Sequence, residues 1–178
     1  YFVTNRHVVS GEGETVTIEN VALGKPYTYP TEGLYFHWSD EWPCTDNVAT
    51  AITDGVREAG YYGEGTTSGW GGAEPRFVDI VIDLEAVYNI SGFVYVLCGG
   101  TDGILHPEVV EISVSTDNET FVPVSVETVT GNKYSSQDWS PCYDLDYYAT
   151  PASAVEGRYV KFVFNKVEGT NEISHVDA

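Results

Sequence analysis

The sequence predicts an all-β sandwich, and three observations carry that prediction. Between Val78 and Leu84 the apolar residues Val78, Ile80, Ile82 and Leu84 fall on every second position, with Asp79 and Asp83 on the other face. A period of two is what a half-buried strand requires, because successive side chains leave a strand on opposite faces. Val110, Ile112 and Val114 repeat the spacing against Glu111, Ser113 and Ser115. Thr116-Asp117-Asn118-Glu119 then supplies turn formers before Phe121-Val122-Pro123-Val124 resumes the extended pattern, which reads as a hairpin. Helix signals are nearly absent: one short turn between Asn47 and Ala59 is the sole helix candidate. Sandwiches of this kind usually carry ligand sites on the loops at one end.

The elements follow in order. Tyr1-Phe2-Val3 and Val8-Val9 form a strand-like run, and Ser10-Gly11-Glu12-Gly13-Glu14 is a polar break, so residues 1–14 are read as a linker or the tail of an upstream region. The domain proper is assigned to residues 15–178. Leu23-Gly24-Lys25-Pro26 punctuates a turn. Residues 29–47, rich in aromatics, Pro and acids, are placed on long loops, as are the Gly-rich residues 60–77 and the stretch from Gly131 to Thr150. Arg158 to Phe164 is a further strand, with Val160, Phe162 and Phe164 on one face, and Ile173 to Ala178 reads as a strand with no turn after it. Tyr1 has no charged and apolar leader before it, so the chain is read as a piece of a larger multidomain protein.

A chain of 178 residues, 42% hydrophobic, can bury one substantial core. Eight basic residues against 27 acidic ones give a net charge of −19. That field repels phosphate backbones and anionic headgroups, which argues against nucleic acid and membrane partners and disfavours sulfated or uronic-acid glycans. Neutral sugars and cations remain as ligands; solubility alone is the other explanation of the charge. No apolar run approaches the roughly 20 residues that span a bilayer. Of the three cysteines, Cys98 in Phe93-Val94-Tyr95-Val96-Leu97-Cys98 reads as a buried free thiol. Cys44 and Cys142 sit in similar loop contexts, and a disulfide between them would imply an oxidising compartment. Asn89-Ile90-Ser91 and Asn118-Glu119-Thr120 match the glycosylation sequon.

Six pieces in order give a more specific pattern. They are Asn20-Val21-Ala22-Leu23-Gly24-Lys25-Pro26; Ala51-Ile52-Thr53-Asp54-Gly55, followed by Trp70; Val81-Ile82-Asp83-Leu84; Tyr88-Asn89-Ile90; Val114-Ser115-Thr116-Asp117 before Phe121; and Gly157-Arg158-Tyr159-Val160-Lys161. Together they resemble the discoidin-like, coagulation-factor type C domain family, which includes galactose-binding-like carbohydrate-binding modules. The resemblance covers roughly residues 18–178. It implies an eight-stranded antiparallel jelly roll of two sheets.

The resemblance also implies a structural calcium ion on the Asp-Gly loop, with Asp54 as a side-chain ligand and loop carbonyls completing the shell. Calcium takes six to eight hard oxygens at roughly 2.3–2.6 Å, which a tight loop can present. Asp54-Gly55 is equally compatible with plain turn chemistry. The family often closes the site with an acid from the last strand. Asp177 is the candidate here, although Asp177-Ala178 stands where a pattern such as Asp-Glu is common.

For sugar binding the family uses end loops carrying an aromatic platform and a few polar residues. A pyranose offers a C–H face that packs on a ring and hydroxyls that need directional partners. The candidates are Tyr35, His37, Trp38 and Trp42 in the first long loop, His106 in Gly103–Pro107, and Asp138 with Trp139 in Ser135–Pro141. Each ring has a second reading, as packing that seals the end of the core. Arg57 and Arg76 are the candidates for the basic residue that galactose binders use.

Catalysis finds no support. Carboxylate pairs such as Asp40-Glu41 and Asp144/Asp146 are expected by chance among 27 acids. Glycoside hydrolysis needs two of them held about 5–9.5 Å apart across a cleft. No Gly-x-Ser-x-Gly elbow, His-Glu-x-x-His helix or phosphate loop occurs, and the four histidines show no ligand spacing in sequence. The expectation is therefore a non-catalytic, calcium-containing module of a secreted or cell-surface protein, bacterial in source. It recognises a neutral glycan and is tethered to neighbouring domains of an enzyme or adhesin. The alternative is a structural or protein-interaction spacer.

Overall fold

The alternation between Val78 and Leu84 does what it predicts. In a computed structural model that describes residues 19–32, 35–36, 51–55, 68–71, 76–99, 106–129, 143–165 and 174–177, Val78, Ile80, Ile82 and Leu84 are all buried in one core. Residues 35–36, 51, 68–71, 98–99, 143–147 and 174–177 are described by their backbone. The strands are β1 (Tyr27–Thr28), β2 (Tyr35–Phe36), β3 (Ser68–Gly71), β4 (Phe77–Ile90), β5 (Phe93–Gly99), β6 (Val109–Ser115), β7 (Val122–Thr128), β8 (Tyr143–Ala149), β9 (Val155–Asn165) and β10 (Ser174–Asp177). They form two antiparallel sheets, β1-β4-β9-β6-β7 and β2-β3-β10-β5-β8.

The expected count of eight strands is exceeded, because ten occur among the described residues. The additions are short pieces that pattern does not reveal. β2 and β3 arise inside stretches read as loops, and β8 occupies most of the end of the third. A two-residue strand has no period to detect; its partner's backbone defines it. The expected helical turn is a single 3-10 turn at Ala51–Thr53.

Between the sheets, Phe162 and Phe164 of β9 stack, and Tyr95 of β5 meets both edge-on with centroids 5.8 and 6.2 Å away. Burying each such ring stabilises the fold by roughly 1.5–3 kcal/mol, so this cluster helps tie the sheets together. Gly157 of β9 is buried where a Cβ would lie 3.0 Å from the Val114 Cβ. A side chain there would need Val114 to give way for β9 to keep its approach to β6.

The outer face departs from simple alternation. Asp79, read as facing away from the core, is 3% exposed. Its carboxylate accepts the Thr31 amide at 3.0 Å and lies 3.3 Å from the Lys161 ammonium, so burial is matched by partners. Asp83 accepts from Nε and Nη2 of Arg158 at 2.7 and 2.8 Å, and this guanidinium holds its carboxyl below the usual range. The β4–β9 register shifts between Asp83 and Tyr88, where Glu85 adopts φ +64° and donates its amide to Asp83.

Two of the recurrent sequence pieces prove to be one unit. Asn20 Oδ1 accepts the Ala22 amide, Gly24 turns the chain at φ +68°, and its amide donates to the Thr53 carbonyl at 2.6 Å. Thr53 Oγ1 donates to the Lys25 carbonyl at 2.8 Å, and the Ile52 amide donates to the Tyr27 hydroxyl at 3.2 Å. Buried Ile52 anchors the 3-10 turn in the core, so the Asn20–Pro26 and Ala51–Gly55 motifs hold each other in place.

Candidate functional site

Strand directions decide where the loops meet. Gly99 at the end of β5 pairs with Tyr143 at the start of β8, so the β5–β6 and β7–β8 connections leave sheet β2-β3-β10-β5-β8 side by side. In the other sheet, the start of β6 and the end of β7 also pair, Val109 with Thr128. Both connections therefore cross at one end of the sandwich. Phe77 and Val109 both pair with Asn165, which brings Arg76 and the start of β4 to that same end. The opposite end carries the tight β4–β5 link, the β6–β7 hairpin and the β8–β9 link.

The predicted residues distribute over this frame as follows. Tyr35 pairs with Gly71 and Phe36 with Trp70, while Trp70 also pairs with Ser174. His175 pairs with Cys98, which sets Ser174 level with Gly99. Tyr35 thus belongs to the end where the β5–β6 and β7–β8 connections cross. His106 ends the β5–β6 connection at that end. His37, Trp38, Trp42, Asp138, Trp139 and Arg57 lie outside the described residues, as do Cys44, Cys142 and the strand-like run at residues 1–9.

His106 has no exposed surface, and among the described residues neither ring nitrogen finds a hydrogen-bond partner. Burial lowers its pKa from 6.5 to about 4, since a charged imidazolium would lose its hydration without compensation. A ring so placed offers no atom to a ligand arriving from solvent. The adjoining backbone is pinned by Glu108, whose amide donates to Asn165 and whose carbonyl accepts Val129.

Asp54 is exposed, one residue beyond the 3-10 turn, and Gly55 follows at φ +87°. β10 runs against that turn, and Asp177 at its end pairs with Val96. Loop and last strand are therefore neighbours. Among residues whose side chains are described, no group of three or more His, Cys, Asp or Glu that could hold a metal is assembled.

Sequence reading missed a groove of about 390 Å³ at the opposite end, lined by Val114, Val122, Val124 and Val155, with Asp117 and Glu156 among its polar residues. Its rim is the predicted hairpin. Asp117 Oδ1 accepts the amides of Glu119 and Thr120 and the Ser115 hydroxyl, which lowers its pKa to about 2. Such self-contained turn chemistry accounts for these residues. Among the described residues no helix is long and apolar enough to cross a membrane.

The family model for the F5/8 type C domain matches residues 35–177. Among solved structures, an f-lectin (fucolectin) from striped bass (Morone saxatilis) serum superposes with a TM-score of 0.56 at 18% identity, over 89% of this chain and 46% of that one. The C-terminal domain of a chitobiase from Bacteroides fragilis gives 0.54 at 18% identity, over 87% and 92% of the two chains. The family 32 carbohydrate-binding module of NanJ from Clostridium perfringens, in complex with galactose, gives 0.53 at 12% identity, over 86% and 89%. At these identities the likeness is one of fold. A search of curated protein sequences found no match.

Proposed function

The chain belongs to the F5/8 type C domain family, and from that premise we propose that it is a non-catalytic carbohydrate-binding module for a neutral glycan. The observation that carries the reading is the pairing of Gly99 with Tyr143, which draws the His106-bearing and Trp139-bearing connections to the end that also holds Tyr35. Tyr35, His37, Trp38, Trp42, Asp138 and Trp139 are the proposed ligand set; His106, which is buried, is left out of it. The mechanism is binding in a preformed site: rings pack on the C–H face of the sugar, and a few polar groups fix its hydroxyls. A net charge of −19 favours uncharged glycans over acidic ones. The fold is shared with modules whose names record sugar ligands, the NanJ module with galactose among them. Weak binding per module would gain strength by tethering to neighbouring domains of a secreted or cell-surface protein.

A structural calcium ion is part of the proposal. Asp54 and Asp177 supply hard carboxylate oxygens, and the loop and strand that carry them are adjacent. Calcium would pin the Ala51–Gly55 loop to β10.

Glycan arrays spanning galactosides, glucans and N-acetylated sugars test the reading. Binding is expected to at least one neutral class and to be lost in Trp38→Ala, Trp42→Ala or Trp139→Ala with little change in melting temperature. Blank arrays, with those alanine variants melting several degrees lower, would replace it with the spacer reading.

A further inference from the structure

The groove at the end opposite the proposed sugar loops joins apolar walls to an acidic rim. Val114 and Val122 lie directly opposite each other on β6 and β7, so they share a face, and Val114 belongs to the core. Val114 is 4% exposed at the inner wall and Val122 58% at the rim, which grades the groove from core to solvent. The β6–β7 register shifts between Ile112 and Ser113. Ser113 pairs with Pro123 and Ile112 with Ser125, which leaves Val124 as the extra residue of a bulge. Beyond the bulge Ser125 and Glu127 stand opposite Ile112 and Val110, and the Ser125 hydroxyl donates to the Glu127 carboxylate. The apolar stretch is therefore confined to Val114, Val122, Val124 and, from β9, Val155.

The charge along the groove has one sign. Asp117 and Glu156 line it, and no lysine, arginine or histidine does. Turn bonds keep Asp117 ionised, but the three from Ser115, Glu119 and Thr120 all go to Oδ1, and Oδ2 takes none of them. Glu156 is exposed. Lys25, Arg158 and Lys161 are paired elsewhere, with Glu85, Asp83 and Asp79. Turn chemistry accounts for Asp117; it does not call for four valines around an open volume of about 390 Å³. β7 is also the last strand of its sheet among the described residues, so an extended segment laid along it meets backbone groups as well as side chains.

We propose that this groove docks an extended basic peptide of a partner protein, with an aliphatic side chain among the four valines and flanking Lys or Arg side chains against Asp117 and Glu156. Charge complementarity selects this occupant. An ammonium or guanidinium meets unpaired carboxylate oxygen at the rim, while the aliphatic side chain loses water against Val114 and Val124. A second copy of the chain is disfavoured, because it would bring a net charge of −19 against the same charge and set acid against acid at the rim. The groove lies away from the sugar loops, so this surface is independent of the sugar reading and of the Asp54 loop.

The probe is a fluorescein-labelled peptide, Gly-Lys-Val-Lys-Val-Lys-Gly, titrated with the full chain and read by fluorescence anisotropy. Salt at about 0.15 M screens the long-range attraction of a polycation to an acidic surface and leaves the contacts. The expected result is saturable binding that weakens by about tenfold or more with serine in place of the peptide's valines, and likewise in Val122→Lys. Glu156→Gln should weaken it by about threefold. Leu23→Lys makes the same charge change at an exposed residue outside the groove and should bind as the wild type does. No binding, equal binding of the serine peptide, or equal loss in the two lysine variants overturns the proposal. A dimer in sedimentation that Val122→Lys dissolves overturns it in favour of a second copy. Amide chemical shifts need no substitution: peptide should move those of Val114, Val122, Val124 and Val155, and shifts confined to other residues overturn it equally.

Discussion

Replacing His106 with leucine should remove a specific part of the acid sensitivity of this domain. The imidazole is fully buried, finds no hydrogen-bond partner among the described residues, and takes up a proton only near pH 4 in the folded state. In the unfolded chain the same ring titrates near 6.5. Between those values the unfolded state binds more protons, so stability falls as pH drops from 6.5 towards 4; above 6.5 the ring is neutral in both states and contributes no slope. At about 1.4 kcal/mol per pH unit the loss is about 2 kcal/mol at pH 5 and about 3 kcal/mol at pH 4. For a domain of this size that corresponds to a melting temperature lower by roughly 6–12 °C at pH 4 than at pH 7 from this group alone. Urea unfolding of wild type and His106→Leu across pH 7 to 4 isolates the contribution, because the carboxylates titrate alike in both. The difference between the two proteins should widen by about 3 kcal/mol towards pH 4 in favour of leucine. Parallel curves would refute the assignment of a buried, neutral, unpartnered ring.

Other expectations follow from the same geometry. Gly157→Ala forces a methyl to within 3.0 Å of the Val114 Cβ and should destabilise by about 1–3 kcal/mol in urea unfolding, while Gly92→Ala, whose nearest neighbour is the Ala149 carbonyl at 3.6 Å, should cost much less. At Glu85, φ is +64°, so Glu85→Gly should be more stable than Glu85→Ala by about 1 kcal/mol; both lose the Lys25 contact, but only glycine relieves the backbone. Calcium should raise the melting temperature of the wild type and chelator should reverse the rise, with Asp54→Ala abolishing the response. A wild type indifferent to calcium would remove the ion from the proposed function.

Local chemistry made much of the fold legible. The period of two at Val78–Leu84 and Val110–Val114 reports burial on one face, and that needs no knowledge of the partner strand. The Ser115–Thr120 turn is satisfied by the side chains of Ser115 and Asp117 within six consecutive residues, so it could be read locally. β2 and β3 were not legible, being short strands in stretches that read as loops; nor was the burial of Asp79, which depends on Thr31 and Lys161 from elsewhere in the chain. The candidate site divides likewise. Its aromatic residues stand out by composition, and the motif at Ala51–Gly55 by resemblance. That Tyr35 and the His106 and Trp139 connections share one end follows only from strand direction and pairing.

Sequence by itself determined the all-β class, the strands long enough to show alternation, the acidic field and the family resemblance, because each is a property of neighbouring residues or of their sum. Tertiary structure alone decided that His106 is buried, that the Asn20–Pro26 and Ala51–Gly55 segments lock together, and that Cys98 stands between His175 and Asp144. Such facts depend on distant segments burying their apolar faces together, and within the sheets a register slip of one residue would move a strand's side chains to the other face.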